Sequence, residues 1–221
     1  MSSVLLKAGC FFLIILMGYG LKKIGLLSQS DLPVFSKLVT KITLPAAIIH
    51  NFSQATMDVS MLVIVLIGFL CSGAYAVIGY GLFAKGTRDQ KAFGLVNASG
   101  YNIGCFTMPF VQGFLGAPGV ACTSLFDTGN AVVCTGQIRR IVIQLLKSIP
   151  FDCYVIMTAL TMAGLRIPVF MDQVAETVGN ANTFLSMTMI GLGLELHMTR
   201  EQTGSVAKIL GTRFAVSAVL A

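Results

Sequence analysis

The chain has 221 residues, of which 55% are apolar and only 11% are Asp, Glu, Lys or Arg, and its mean hydropathy is +0.84. A soluble domain usually carries about a quarter charged residues, so this composition excludes a water-soluble globule. The net charge of +6 comes from 15 Lys and Arg scattered without a dense basic stripe, which argues against a nucleic-acid-binding protein. A bilayer span takes roughly 20 apolar residues, so the length has room for roughly six to eight spans of an all-α polytopic membrane protein.

Uncharged apolar stretches predict seven membrane spans and the beginning of an eighth. The fourth and fifth spans share a charge-free stretch from residue 92 to residue 126, which we divide at a predicted turn over residues 116–119 (GAPG). Pro45 is expected to kink the second span. A more polar, amphipathic stretch around Asp172 separates the sixth span from the seventh. The predicted spans are residues 4–21, 33–52, 61–84, 93–115, 120–138, 150–165, 182–196 and 208–221.

Lys and Arg follow the predicted spans in an alternating pattern. They come after the first, third, fifth and seventh spans, whereas none follows the second or fourth and only Arg166 follows the sixth. Because cytoplasmic loops of membrane proteins are enriched in Lys and Arg, the odd-numbered spans are predicted to exit on the cytoplasmic side. The protein is therefore expected to be a multi-pass protein of the plasma or cytoplasmic membrane with its N-terminus outside.

The densest polar segment within an apolar stretch lies in the fourth span, at residues 97–109 (NASGYNIGCFTMP). A helix broken inside the membrane is tolerated only beside protein or a wet cavity. Pro109 removes a backbone donor, Gly104 permits close approach of another chain segment, and the Asn102 amide both donates and accepts hydrogen bonds. These features predict a binding site for an anion such as a carboxylate, which the partial positive charge of a half-helix would favour. A packing kink between helices is the alternative.

The fifth span adds Asp127 and Asn130. An acid in an apolar stretch usually faces a cavity or a partner, so Asp127 is a candidate proton carrier, with a hydrogen-bonded structural Asp as the alternative. Asn130, one turn deeper, is a candidate neighbour of the broken helix and a candidate substrate ligand. Six scattered cysteines and the isolated His50 and His197 form no metal-binding pattern, so we expect no metal and no cofactor.

Two pairs of segments indicate an internal repeat. Residues 17–24 and 162–167 each end an apolar helix with a Gly-Leu-basic step, and each is followed by a helix with a small-residue centre, at residues 44–48 and 186–193. The two halves have opposite predicted orientation, and inverted repeats are typical of secondary transporters. Chance similarity between apolar helices is the alternative.

At these residues the chain resembles the auxin efflux carrier family, which includes bacterial members and the plant PIN carriers. The spacing of Asn102 and Pro109 is the most specific part of the resemblance, and the remaining matches run through the whole chain. They are residues 20–25 (GLKKIG), 44–46 (LPA), 114–116 (FLG), 125–127 (LFD) and 186–194 (SMTMIGLGL).

The resemblance implies ten helices in two inverted five-helix repeats, with broken fourth and ninth helices that cross near the midplane and hold the substrate between them. Asn102 and Pro109 would then form the first crossover, in a crossover helix at about residues 93–115. The family carries small organic anions, such as auxin in plants and malate or malonate in some bacteria, by alternating access. Proton coupling is suggested for some members, and Asp127 is the candidate for it here.

On this reading, residues 1–138 form the first repeat, 139–149 a cytoplasmic connector and 150–221 an incomplete second repeat. We therefore expect a truncated carrier with about seven or eight of ten helices, unable to transport alone unless another chain supplies the rest. A non-transporting receptor on a carrier fold is the second hypothesis, and an intramembrane enzyme is the weakest because no HExxH motif or paired intramembrane aspartates are present. The expected partners are the lipid bilayer and the anion, with a homodimer also considered and nucleic acid excluded.

Overall fold

The computed structural model describes residues 2–55, 58–134, 148–195 and 200–220, and these residues form helices joined by turns and short irregular segments, with no strand among them. The predicted connector residues Arg139, Arg140 and Lys147, together with His197, lie outside the described residues. The α-helices are α1 (Ser2–Lys23), α2 (Leu32–Leu38), α3 (Leu44–Gln54), α4 (Val63–Leu82), α5 (Arg88–Ser99), α6 (Met108–Cys134), α7 (Ile149–Met162), α8 (Val169–Gly193) and α9 (Arg200–Leu220).

In the part of the chain that the structure describes, three helical segments are long and apolar enough to cross a membrane: Val4–Lys23, Gln29–Gln54 and Ser60–Leu82. They coincide with the first three predicted spans. At 1.5 Å per residue, the 22 residues of α1 reach about 33 Å, which matches the hydrocarbon core of a bilayer. The all-α membrane fold predicted from composition is therefore confirmed.

Two π-helical turns interrupt the helices. One covers Val39–Thr43 and directly precedes α3, so the distortion predicted for the second span lies just before Pro45, which occupies the first turn of α3. The other covers Ile103–Thr107 and precedes α6. Single π-helical turns inside helices are frequently found at functional sites.

The helix α6 contains the break that was predicted between the fourth and fifth spans. Gly116 has φ of 63° and ψ of −156°, a backbone conformation that only glycine adopts without strain. The break leaves helix carbonyls without an intrahelical partner, and the Lys7 Nζ of α1 donates a hydrogen bond to the Gly113 oxygen at 2.5 Å. A cation is favourable at this position because carbonyl ends of helices carry partial negative charge.

The helix α8 corrects one sequence-based boundary. The amphipathic stretch around Asp172 and the seventh predicted span are one continuous helix from Val169 to Gly193. The polar residues had suggested a separate segment, but buried positions continue through both parts of the helix, at Ala175, Gly179, Asn182 and Ser186. Burial against neighbouring helices therefore outweighs the local drop in hydropathy.

The described residues form two compact units. Unit one comprises the described parts of Met1–Leu62, Asn102–Leu125 and Val142–Leu194, and unit two those of Val63–Tyr101, Phe126–Ile141 and Glu195–Ala221. In unit one α8 packs against α1 and α3, and α3 packs against α7; in unit two α4 packs along α5. The predicted division into repeats over residues 1–138 and 150–221 stays a prediction.

Candidate functional site

The crossover segment predicted between residues 97 and 109 is a broken helix. The helix α5 ends at Ser99, and Gly100 has an extended backbone with φ of −70° and ψ of 117°. Helical hydrogen bonding resumes in the π-helical turn, where the Asn102 carbonyl accepts from the amides of Phe106 (3.1 Å) and Thr107 (3.2 Å). The break therefore lies at Gly100–Asn102, inside the charge-free stretch.

Pro109 is buried and stands at the second position of α6, seven residues after the last unwound residue, Asn102. The π-helical turn Ile103–Thr107 runs directly into α6, so Pro109 lies inside the second half-helix and does not begin it. Its missing backbone donor leaves a carbonyl of the preceding turn without an intrahelical partner. The break itself occurs at Gly100–Asn102.

Gly104 allows the crossover segment to approach the start of α3. A Cβ atom at this position would lie 2.6 Å from Cδ2 of Leu44, which is closer than real side chains come. The Asn102 side chain, two residues earlier, is exposed. Asn102, Gly104 and Pro109 all belong to unit one, and their predicted substrate-binding role stays a prediction.

The helix α8 packs against both π-helical turns, and these turns pack on each other. The Thr43 hydroxyl, at the end of the first turn, donates to the Asn182 side-chain oxygen of α8 at 3.0 Å. Asn182 and Ser186 are fully buried, and within the described residues the Asn182 Nδ2 and the Ser186 Oγ have no hydrogen-bond partner. Asn182 was not among the predicted site residues, although an amide at the start of a predicted span was a signal for it.

Asp127 and Asn130 lie in unit two and are linked to each other. The Asn130 Nδ2 is 3.4 Å from the Asp127 Oδ1, and the Asn130 Oδ1 accepts a hydrogen bond of 2.8 Å from the Ser72 hydroxyl of α4. Asn130 is only 4% exposed and Ser72 is fully buried. Asp127, which is half-buried, thus lies at one end of a polar chain whose other two members, Asn130 and Ser72, are buried. The roles predicted for Asp127 and Asn130 stay predictions.

Arg213 of α9 is a residue that the sequence analysis missed. Its Nη1 donates to the backbone oxygens of Asn97 (3.2 Å) and Gly100 (3.1 Å), at the end of α5. Its guanidinium carbon lies 4.6 Å from the ring centre of Tyr101. An arginine inside the last predicted span was the available signal, because charges within spans are rare and usually functional.

Comparison with known proteins places the chain in a family. Residues 10–143, more than half of the chain, match the family described as "Membrane transport protein". An uncharacterized transporter of Methanothermobacter thermautotrophicus is 24% identical over 224 aligned residues, which cover 94% of this chain and 74% of the relative. No solved structure matches. The family match shows that the chain belongs to the auxin efflux carrier family of membrane transport proteins.

Proposed function

We propose that this membrane transport protein is a secondary carrier that moves a small organic anion, such as a mono- or dicarboxylate, across the membrane by alternating access. The single observation that supports the proposal most is the helix break at Gly100–Asn102 within a charge-free stretch. Unwound backbone at membrane depth is tolerated only where it is covered by protein or lines a cavity. Discontinuous helices of this kind form the substrate sites of many secondary transporters.

The chemistry of the crossover favours an anion. The break exposes backbone amides at the start of the second half-helix, and their partial positive charge attracts a carboxylate. Asn102 adds an amide that donates hydrogen bonds to a carboxylate oxygen without carrying charge itself. Gly104 keeps Cβ atoms away from Leu44, so a close approach of the two segments is possible.

Asp127 is the proposed site of proton coupling. Its carboxylate is half-buried and contacts Asn130, which in turn accepts a hydrogen bond from the buried Ser72 hydroxyl. An intramembrane carboxylate is costly when ionised and is a common proton carrier in transporters. We expect anion movement to depend on a proton gradient through this residue.

The proposal is tested by binding and flux of radiolabelled malonate with the full chain reconstituted in proteoliposomes. Asn102→Ala removes the amide and is expected to weaken malonate binding roughly tenfold, the effect of about one hydrogen bond to a charged ligand. Asn97→Ala is the matched control, because the Asn97 side chain is exposed and its Nδ2 donates only to the Phe93 carbonyl of its own helix.

Saturable binding or flux of malonate that falls in Asn102→Ala and persists in Asn97→Ala supports the proposal. Equal malonate binding by wild type and Asn102→Ala would show that Asn102 is not part of the binding site. If the wild-type chain binds none of malonate, malate and indole-3-acetate, the proposal that it carries a small organic anion is wrong. Binding without flux would favour the receptor hypothesis.

A further inference from the structure

Arg213 is a half-buried arginine in the last predicted span, and it contacts the charge-free stretch. Its two backbone acceptors belong to Asn97 and Gly100, and Gly100 comes eight residues after Ala92, where the charge-free stretch begins. At 1.5 Å per residue this corresponds to about 12 Å along the helix, near half the thickness of a hydrocarbon core of about 30 Å. A charge at this depth is costly and is usually retained for a function.

The guanidinium is held on two sides. Its Nη1 bridges the Asn97 and Gly100 oxygens at the carbonyl end of α5, and its plane lies near the Tyr101 ring at 4.6 Å. The Tyr75 hydroxyl donates to the Arg213 backbone oxygen at 3.1 Å and lies 2.8 Å from the Ser217 hydroxyl. Arg213 is thus oriented by both its backbone and its side chain.

The positive charge and most of its donors remain available. A guanidinium has five N–H groups, and within the described residues only Nη1 makes hydrogen bonds, while Nη2 and Nε have no acceptor. No carboxylate of the described residues lies within ion-pair distance of Arg213. The backbone carbonyls carry only partial negative charge, so they do not neutralise the arginine.

We propose that Arg213 binds the carboxylate of the transported anion through its Nη2 and Nε, while Nη1 anchors it to the end of α5. This inference rests on the proposed function and names a charged residue of unit two, beside Gly100, that recognises the charge of the anion. The two free N–H groups lie side by side in the planar fork that matches the two oxygens of a carboxylate. A neutral amide of the same shape would leave the guanidinium charge unpaired, so the site selects anions over their neutral analogues.

Arg213 could instead serve only to cap the carbonyl end of α5, and the choice of substitution separates the two roles. Arg213→Gln keeps an N–H donor for the carbonyls but removes the charge. Arg213→Lys keeps the charge but loses the fork. Lys208→Gln is the matched control, because it removes an equal charge from an exposed position five residues earlier on α9.

The test measures the dissociation constant of radiolabelled malonate, and its competition by unlabelled malonate and malonamide, for the full chain in lipid nanodiscs. Arg213→Gln is expected to bind malonate roughly 10- to 100-fold more weakly than wild type, and Arg213→Lys to show a smaller loss. Lys208→Gln is expected to match wild type, and malonamide to compete poorly. Melting temperatures of all variants are recorded alongside.

The outcomes separate this inference from the proposed function. Unchanged malonate affinity in Arg213→Gln would show that the arginine only caps α5. The proposed function as an anion carrier would not be affected by that result. No malonate binding by wild type would contradict both. If Arg213→Gln does not fold, the wild-type chain is treated with phenylglyoxal, which modifies arginine, with and without malonate, and the modification of Arg213 is measured by mass spectrometry. Protection of Arg213 by malonate supports the inference, and absence of protection overturns it.

Discussion

Asp172 joins the ends of two helices through a single carboxylate. Its Oδ1 accepts from the Ser53 hydroxyl at 2.6 Å and lies 2.9 Å from the His50 Nδ1, and its Oδ2 accepts from the Gln54 amide at 3.0 Å. Burial alone would raise the pKa of Asp172, but the hydrogen bonds and the nearby His50 outweigh it and hold the pKa below the ordinary value of 3.8. The end of α3 is thereby fastened to the first turn of α8.

We expect Asp172→Asn to lower the stability of the chain by about 1 kcal/mol at neutral pH, since the partly exposed hydrogen bonds are weakened. Because the folded-state pKa is lowered, the contribution of the carboxylate is complete above pH 3.8 and is lost as the pH falls through the folded-state pKa. Melting curves of both proteins at several pH values check this expectation.

Glu176→Gln is the control for this prediction, because Glu176 is an exposed acid one turn later on α8. It is expected to leave the melting temperature unchanged across the same pH range. A stability difference between wild type and Asp172→Asn that stays constant down to pH 2 would disprove the ionic origin of the effect.

Single residues were predictable to very different degrees. Asn102 was found because an amide stands out in a charge-free stretch, and the break beside it was confirmed. His50 was taken as isolated, since nothing in its own neighbourhood indicates that Asp172 reaches it. Arg213 was overlooked although an arginine within a predicted span was a signal; its acceptors are backbone oxygens, so the sequence pattern did not indicate what it binds.

At the scale of elements, α1 and α8 cross at glycines. A Cβ atom on Gly18 would collide with the Thr188 backbone oxygen, and one on Gly191 with the Ile15 oxygen. Small residues at such contacts let helix backbones approach closely, which provides packing energy where lipid offers no hydrophobic driving force. The Lys22 Nζ strengthens the same pair by donating to the Leu192 and Leu194 oxygens, at 3.2 and 2.8 Å, at the carbonyl end of α8.

We expect Gly18→Ala to separate α1 from α8 and to destabilise the chain by about 1–3 kcal/mol, because a tight backbone contact does not yield to an added methyl group. Gly20→Ala is the control on the same helix, since a Cβ atom there meets no atom within 4 Å. Thermal unfolding in detergent measures both variants. Equal melting temperatures for the two would show that α1 and α8 do not pack at Gly18.

Helix types and breaks were largely predictable, and helix ends less so. The first three spans and the turn at Gly116 follow from apolar runs and glycine, which act locally. The continuity of α8 did not follow, because its polar first half is stabilised by α3: a Cβ atom on Gly179 would lie only 2.8 Å from the Ala47 backbone. Tertiary contacts of this kind override a local minimum of hydropathy.

At the scale of the whole molecule, the distribution of Lys and Arg predicts the orientation in the membrane. Lys85 lies between α4 and α5 and is expected in the cytoplasm, whereas Arg166, between α7 and α8, is expected outside. In a cysteine-free background, a membrane-impermeant maleimide added to intact cells should label Arg166→Cys but not Lys85→Cys. Labelling of both after permeabilisation is the control, and the reverse pattern would place the N-terminus inside.

Apolar runs, charges and glycines act on the chain segment that contains them, so the amino-acid sequence was enough to predict the membrane class, the first three spans, the helix break within residues 97–109 and the family. Which polar groups meet depends instead on how distant helices pack. His50 binds Asp172 across 122 positions, Lys22 binds the end of α8 across 172, and Arg213 binds the end of α5 across 116. A local pattern carries no information about such pairs, because the partner is selected by how helices pack and by which backbone carbonyls their ends leave unpaired.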